Sequence, residues 1–269
     1  MITGLISINT NLGSSIALRY ANELSNKIDM RLYDIHVVDA KKSGSSPGFG
    51  WVQKTWENAL IESKSEEIRQ FLDMEKVELP FLKTPKILIG DRTEKLLDEL
   101  QTGQYAFFLE GALPSFNPND FYRLVHSRLY RLMPCPVMIV KNLVPADNAA
   151  LLLDQDSDHR DFIAQFVKIF NNARVKVDLI DLKFSKAKDL VIGETESRDL
   201  HMKNADDALK QSNVTSGAQK TIEGAPDKIA ECLREYGLII SFLKHKSKKN
   251  NPMIELLGRV PSPVLIFWR

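Results

Sequence analysis

The chain has 269 residues, of which 43% are hydrophobic, and this is enough apolar material for two compact domains of ordinary size. Its 36 basic and 35 acidic side chains nearly cancel, so net charge gives no support to a nucleic-acid-binding or membrane-surface role. No apolar run approaches the roughly 18–20 residues that span a bilayer, and the opening segment lacks the basic start and small-residue cleavage site of a signal peptide. We therefore expect a cytoplasmic protein.

In the first half, short apolar strands alternate with amphipathic helices. Asn11 or Ser14 can cap the first helix, because both side chains can accept a hydrogen bond from a free backbone N–H. Apolar strands separated by helices predict a parallel sheet that is covered on both faces. Strands are predicted near residues 2–8, 31–38, 86–89, 105–109 and 137–140, and helices near 14–26, 52–74, 92–101 and 119–132.

The second half repeats this alternation after a linker at residues 141–148, which contains Pro145. Residues 183–217 are rich in Ser, Lys, Asp and Asn, and Leu190-Val191-Ile192 is their only apolar cluster, so this stretch is interpreted as an insertion. Strands are predicted near residues 149–153, 174–182, 218–222, 238–243 and 264–268, and helices near 158–170, 204–212, 226–236 and 252–258.

The two halves share several landmarks in the same order. Residues 134–140 read Pro-Cys-Pro-Val-Met-Ile-Val and residues 261–267 read Pro-Ser-Pro-Val-Leu-Ile-Phe. Each half also opens on an apolar strand that ends in a polar residue, and each has a glycine before a later helix, Gly90 or Gly224. A diverged tandem repeat explains this agreement. The predicted domains are residues 1–143 and 147–269.

The closing strands are predicted to pack against each other, so that the two domains form a pseudo-dimer inside one chain. Val137–Val140 and residues 264–267 are both apolar, and an uncovered apolar edge strand invites aggregation. Pairing the two strands hides both edges at once. The sequence leaves open a homodimer of the whole chain.

Ligands of an open α/β sheet bind beyond the carboxyl ends of its strands, where the strand order reverses. This rule indicates Asn9 and Asp154, each at the end of an opening strand, and the loops that follow the fourth strands. In the second half that loop reads Lys-His-Lys-Ser-Lys-Lys over residues 244–249, and its side chains could bind an anion or simply keep an exposed turn solvated. The run 154–158 contains three aspartates, so Asp154 could equally belong to a helix cap.

Other chemistry has weaker signals. The five histidines are scattered without metal-ligand spacing, and the two cysteines, Cys135 and Cys232, occupy non-equivalent positions, so neither a metal site nor a structural disulfide is expected. Asp120, His126 and Ser127 lie on or beside one predicted helix, where nothing orients them as a catalytic triad. Trp51 and Trp56 are expected to shield the sheet edge or a domain contact.

These landmarks together resemble the universal stress protein family in its tandem, two-domain arrangement. The resemblance covers nearly the whole chain. It rests on the opening strand with its polar end, the helix around Ala17, the second strand closing at Asp39, Gly90 before a helix, and the Cys-Pro-Val or Ser-Pro-Val strand. The resemblance implies a five-stranded parallel, Rossmann-like sheet in each domain, of the type of the adenine nucleotide alpha hydrolases. It also implies dimerisation through the last strand.

Nucleotide-binding members of this family use an Asp at the end of strand one, a backbone contact just after strand two, and a loop of the form Gly-x2-Gly-x9-Gly-Ser/Thr after strand four. The first domain departs from this pattern. Asn9 replaces the Asp, Val37 lies at the strand-two contact, and the loop keeps only Gly111 while Pro114 replaces the second glycine. Proline has no N–H to offer an anion, so this site is predicted to be degenerate.

The second domain keeps Asp154 and has Ile180 at the expected adenine contact, but it has no glycine from Leu238 through Leu257. Its remaining candidates for ligand binding are the loop residues Lys244, His245, Lys246, Lys248 and Lys249.

The leading expectation is a non-enzymatic stress-response protein with no cofactor, acting through unidentified protein partners or small-ligand sensing. The alternative is a nucleotide-binding member that holds ATP or AMP in a modified second-domain site and hydrolyses ATP slowly at most. An adenylating enzyme is disfavoured because its Ser-Gly-Gly and His-x-Gly-His motifs do not appear.

Overall fold

The strands and helices alternate along the chain close to the predicted positions. The computed structural model describes residues 1–39, 50–79, 84–113, 117–154, 160–185, 190–194, 200–245, 247–248 and 250–268. The strands are β1 (Ile2–Ser7), β2 (Met30–Val38), β3 (Lys86–Ile89), β4 (Phe107–Gly111), β5 (Val137–Val140), β6 (Asn148–Asp154), β7 (Lys176–Phe184), β8 (Val191–Glu194), β9 (Thr215–Gly224), β10 (Leu238–Leu243) and β11 (Val264–Trp268). The helices are α1 (Leu12–Ser25), α2 (Trp51–Glu75), α3 (Arg92–Thr102), α4 (Pro118–Val125), α5 (Arg128–Arg131), α6 (Arg160–Phe170), α7 (Leu200–Gln211), α8 (Pro226–Cys232) and α9 (Pro252–Arg259).

All described strands belong to one sheet, in the order β3-β2-β1-β4-β5-β11-β10-β6-β7-β9-β8. The neighbours within the first half are parallel, and so are those from β11 to β9 in the second half. From the centre outward, both halves have the same order of strands, and the second half adds the antiparallel edge strand β8. The predicted domain boundary at residues 143–147 falls between β5 and β6.

The two halves join through the predicted pair of closing strands. β5 and β11 are antiparallel, with Val264 opposite Ile139 and Ile266 opposite Val137. Every residue of β5 is buried. This confirms the expectation that each closing strand would cover the other.

Helices cover both faces of the sheet, which is why the central strands are apolar throughout. One face packs against α1, α2, α6 and α7, and the other against α3, α4, α5, α8 and α9. The apolar face of α6 illustrates how sequence spacing produces this packing: Phe162, Phe166 and Phe170 recur at helical intervals and are all buried.

Further contacts tie the halves together at the amino end of β10. The fully buried Tyr20 of α1 donates its hydroxyl hydrogen to the carbonyl oxygen of Gly237 at 2.8 Å. The backbone N–H of Arg174 donates to the carbonyl of Lys27 at 2.8 Å, and the Lys27 side chain forms an ion pair with Asp147. The first helix and the residues that follow it therefore contact the second half.

The structure differs from the sequence-based expectations at four places. The stretch interpreted as an insertion contains, besides the predicted helix α7, the unpredicted strand β8. The helix predicted over residues 119–132 is broken into α4 and α5, because Ser127 takes the extended backbone of an N-cap. Lys141, assigned to the linker, is buried at 1% exposure. The expectation that Trp51 shields an edge or a contact is wrong, because its side chain is 78% exposed at the start of α2.

Candidate functional site

The strand order reverses between β1 and β4 in the first half and between β6 and β10 in the second. The carboxyl ends of these strands are the places where a sheet of this kind binds ligands. They define two candidate sites: the first-half edge, at the ends of β1, β2 and β4, and the second-half edge, at the ends of β6 and β10.

At the first-half edge the backbone of α1 packs directly on the end of β4. A Cβ atom added to Gly111 would lie 1.9 Å from the carbonyl oxygen of Gly13. The next backbone N–H, that of Ala112, donates to the carbonyl of Val140 at 2.9 Å. Backbone of α1 therefore lies tightly against the end of β4, and the first N–H after β4 is already bonded.

Asn9 forms part of the turn that leads into α1. Its backbone N–H donates to Ser14 Oγ at 2.8 Å, and its carbonyl accepts from the N–H of Asn11 at 2.8 Å. Asn11 is the N-cap, as expected, because its side chain accepts from the Ser14 N–H at 2.9 Å. The backbone N–H and carbonyl of Asn9 are therefore both used in the turn that caps α1.

Side chains from α2 reach the same edge. Thr10 donates its hydroxyl hydrogen to Glu67 at 2.9 Å, and Lys64 forms an ion pair with the same carboxylate. The hydrogen bond from Lys64 is the main effect that lowers the pKa of Glu67, and His36 adds to it. His36 itself lies 2.8 Å, through Nδ1, from the carbonyl oxygen of Ile8. Val37 lies next to it, beside Leu88 of β3 in the sheet register.

At the second-half edge, Asp154 is the last residue of β6, as predicted, and lies opposite Leu182 of β7 in the register. Ile180 pairs instead with Leu152, two residues further into the sheet, and its side chain is fully buried. Ile180 therefore lies within the sheet, because β7 extends to Phe184, whereas the strand was predicted to end near residue 182.

The loop after β10 begins with a closed turn. The backbone N–H and the hydroxyl of Ser247 both donate to the carbonyl of Lys244, at 3.0 and 2.6 Å. The side chains of Lys244 and Lys248 are exposed and form no ion pair within the described part of the chain. Lys246 and Lys249 lie outside the described residues.

His245 points away from this loop and into the molecule. Its ring stacks on Trp268, with centroids 5.1 Å apart and planes 12° from parallel, and Trp268 packs edge-on against Tyr130. Burial lowers the pKa of His245, and the charge of Arg131 lowers it further, so the imidazole is favoured in its neutral form. His245 Nδ1 and Trp268 Nε1 are buried without a hydrogen-bond partner.

A buried polar cluster on the other face of the first-half edge was not predicted. Glu110 of β4 accepts from Arg92 of α3 and from the hydroxyl of Tyr130, and Arg92 also donates to Ser7 Oγ at 3.3 Å. Glu110 is 7% exposed. The available signal was an acidic residue inside the apolar strand Phe-Phe-Leu-Glu-Gly, because a buried carboxylate needs partners.

The suspected hydrolase arrangement is not formed. Both ring nitrogens of His126 face backbone carbonyls, Nδ1 that of Tyr122 at 3.0 Å and Nε2 that of Ser247 at 2.8 Å. Asp120 pairs with Arg123. His126 is thus occupied by backbone groups and is not placed to activate Ser127.

Both cysteines are free, which agrees with the expectation of no structural disulfide. Burial raises the pKa of Cys135 to about 12, so this thiol stays protonated.

Within the described residues, no group of three or more His, Cys, Asp and Glu side chains is arranged to hold a metal ion. No described helix is both long enough and apolar enough to cross a membrane.

Solved structures with the same fold include universal stress proteins. A universal stress protein from Archaeoglobus fulgidus is 13% identical, with a TM-score of 0.64, and the match covers 100% of this chain and 96% of that one. A candidate universal stress protein from Pseudomonas aeruginosa is 14% identical, with a TM-score of 0.55 and coverage of 100% and 93%. The cytoplasmic domain of a prokaryotic cation chloride cotransporter is 11% identical, with a TM-score of 0.52 and coverage of 98% and 94%.

The chain therefore has the α/β, Rossmann-like fold of the universal stress proteins, as its sequence landmarks indicated. No protein-family model matches the sequence, and no curated protein matches it. The similarity thus lies in the arrangement of strands and helices, and the site residues have to be interpreted from this chain alone.

Proposed function

We propose that this chain is a stress-response protein of the universal stress protein type that works without catalysis, through protein partners or small-ligand sensing, and that its first half has lost ATP binding. The proposal rests on the sequence after β4, which keeps only Gly111 of the phosphate-loop glycines and has Pro114 at the place of the second. It is supported by the backbone at the end of β4, where Gly111 packs against Gly13 and the N–H of Ala112 is bonded to Val140. At the same edge Glu67 accepts from Thr10 and is paired with Lys64, so this lysine is not available to bind a phosphate.

Titration calorimetry with ATP tests this loss directly. We expect no binding in the low-micromolar range, because the sequence after β4 lacks the glycines of a phosphate loop and because Lys64 and Arg92 at this edge are already paired with Glu67 and Glu110. Asn9→Ala is the diagnostic variant, and Asn142→Ala, an exposed position after β5, is its control. A low-micromolar ATP site that disappears in Asn9→Ala but persists in Asn142→Ala would refute the proposal. Native mass spectrometry of the purified protein adds a check for carried-over nucleotide.

The alternative function is a second-half site for an anion or a nucleotide. It is favoured by the exposed Lys244 and Lys248 at the carboxyl end of β10, which pair with no acidic residue that the structure describes and whose side-chain charge could replace backbone N–H groups. Such a site would bind anions loosely and would weaken with salt.

Phosphate, sulfate or ATP should raise the melting temperature at low salt if the lysine loop binds anions. Replacing Lys244, Lys246, Lys248 and Lys249 together by serine should remove that rise. The matched control replaces four exposed lysines on four helices by serine, at Lys54, Lys168, Lys203 and Lys228. It loses the same charge, but the anion should still raise its melting temperature. An equal rise in both variants would show that the loop is only solvated.

A further inference from the structure

The buried side chain of Lys141 joins the two halves at the junction of α4 and α9. Its Nζ donates hydrogen bonds to the carbonyl oxygens of Leu257 and, at 3.2 Å, of Val260, at the carboxyl end of α9. The same nitrogen lies over the ring of Phe121 in α4, 4.7 Å from its centroid. Since Lys141 directly follows β5, one amine connects a strand and a helix of the first half with a helix of the second.

This junction is closely packed. A Cβ atom added to Gly258 of α9 would lie 2.7 Å from the Cα of Pro118 and 3.2 Å from the Cβ of Phe121. The two helices therefore approach each other at backbone distance. Lys141 is 1% exposed, so its amine is shielded from water and contacts two carbonyl oxygens and an aromatic ring instead.

No carboxylate neutralises the amine within the described residues. The charged and titratable groups on the elements around it are Arg19 and Glu23 on α1, Glu110 on β4, Asp120 and Arg123 on α4, His126 at the end of α4, and Glu255 and Arg259 on α9. Three of the carboxylates are paired elsewhere, Glu110 with Arg92, Asp120 with Arg123 and Glu255 with Arg259. None of the acidic groups lies within ion-pair distance of Lys141.

Both protonation states of the amine can keep its hydrogen bonds. A neutral amine has two N–H groups, which is the number that the two carbonyls need. Protonation adds a charge that the apolar surroundings disfavour, and this burial lowers the pKa of Lys141 to about 7. The carbonyls and the Phe121 ring work in the opposite direction, because they favour the charged form.

We propose that Lys141 makes the junction between α4 and α9 sensitive to pH, with the neutral amine favouring the closed junction and the protonated amine favouring its opening. The sign follows from proton binding. When the junction opens, the amine meets water and regains an ordinary lysine affinity for protons, so the open state binds more protons than the closed state between about pH 7 and pH 10. Raising the pH through that window closes the junction, by up to about tenfold per pH unit.

Hydrogen exchange of the backbone amides in α4 and α9 measures this opening in the intact chain. After correction for intrinsic exchange, we expect their protection to rise by on the order of tenfold or more between pH 7 and pH 9. In Lys141→Met the rise should be absent, because methionine fills a similar volume and does not titrate. Lys168→Met, which removes an exposed lysine of α6, should behave like the wild type.

Lysine side-chain NMR on the wild-type protein gives a readout that does not depend on any variant folding. With labelled lysine, one resonance should titrate near neutral pH, and the spectrum of Lys141→Met should lack it. The proposal is overturned if every lysine titrates near the ordinary value of about 10.4, or if the protection of α4 and α9 in the wild type does not change between pH 7 and pH 9.

Discussion

Replacing Asp34 with asparagine is expected to stabilise the protein by about 2 kcal/mol at pH 7.5. Asp34 lies in β2, opposite Ile6, and is 3% exposed. Its Oδ2 atom is buried without a hydrogen-bond partner. An ionised carboxylate in this position has lost its water without gaining a compensating charge.

The expected effect depends on pH in a defined direction. Burial raises the pKa of Asp34 to about 6, from 3.8 for an ordinary aspartate. The folded state therefore binds more protons than the unfolded state between these values, and the free energy of unfolding falls as the pH rises through that window. The shift corresponds to about 3 kcal/mol, and the partnerless amide of the asparagine reduces the gain to about 2 kcal/mol.

Urea unfolding of the wild type and of Asp34→Asn at pH 4 and pH 7.5 measures this difference. The two proteins should be nearly equally stable at pH 4, and the variant should be more stable at pH 7.5. Asp98→Asn, at an exposed position of α3, should change stability by less than about 0.5 kcal/mol at either pH. A gain for Asp34→Asn that is the same at both pH values would show that ionisation of Asp34 is not its cause.

Gly111→Ala is expected to destabilise the protein by roughly 2–3 kcal/mol, because the new methyl group would overlap the backbone of α1. The nearest atom to an added Cβ is the carbonyl oxygen of Gly13, at 1.9 Å, and a backbone atom cannot turn aside as a flexible side chain does. The first turn of α1 would have to move away from the end of β4. Thermal or chemical unfolding measures the loss.

Gly193→Ala is the matched control, because an added Cβ at Gly193 in β8 would meet no atom within 4 Å. Its stability should change by no more than about 0.5 kcal/mol. An equal effect of the two variants would mean that the loss of glycine flexibility, and not the overlap with Gly13, determines the result.

Much of the fold could be predicted because its signals are local. The apolar strands and amphipathic helices have clear periodicity, and the similar closing strands predicted the pairing of β5 with β11. The edge strand β8 was missed because only four residues form it and both of its faces are exposed, so it shows no burial pattern. The break between α4 and α5 was missed because the apolar spacing of the two helices is nearly continuous across Ser127.

The candidate sites were predicted less completely, because they depend on contacts between distant parts of the chain. The sequence indicated that the loop after β4 lacks glycines, but not that Gly13 packs against Gly111. Lys141 was assigned to a polar linker, since its partners Leu257 and Val260 lie more than 100 residues away along the chain. The stacking of His245 on Trp268 likewise joins the loop after β10 to the last strand.

The antiparallel pairing of β5 with β11 separates the two candidate sites in space. Strands of the first half run in one direction and those of the second half in the other, so their carboxyl ends lie on opposite rims of the continuous sheet. A ligand at one rim cannot share a pocket with a ligand at the other. The two rims are joined through the central strands, through the paired helices α4 and α9, and through the contacts of Tyr20 and Lys27 with the second half.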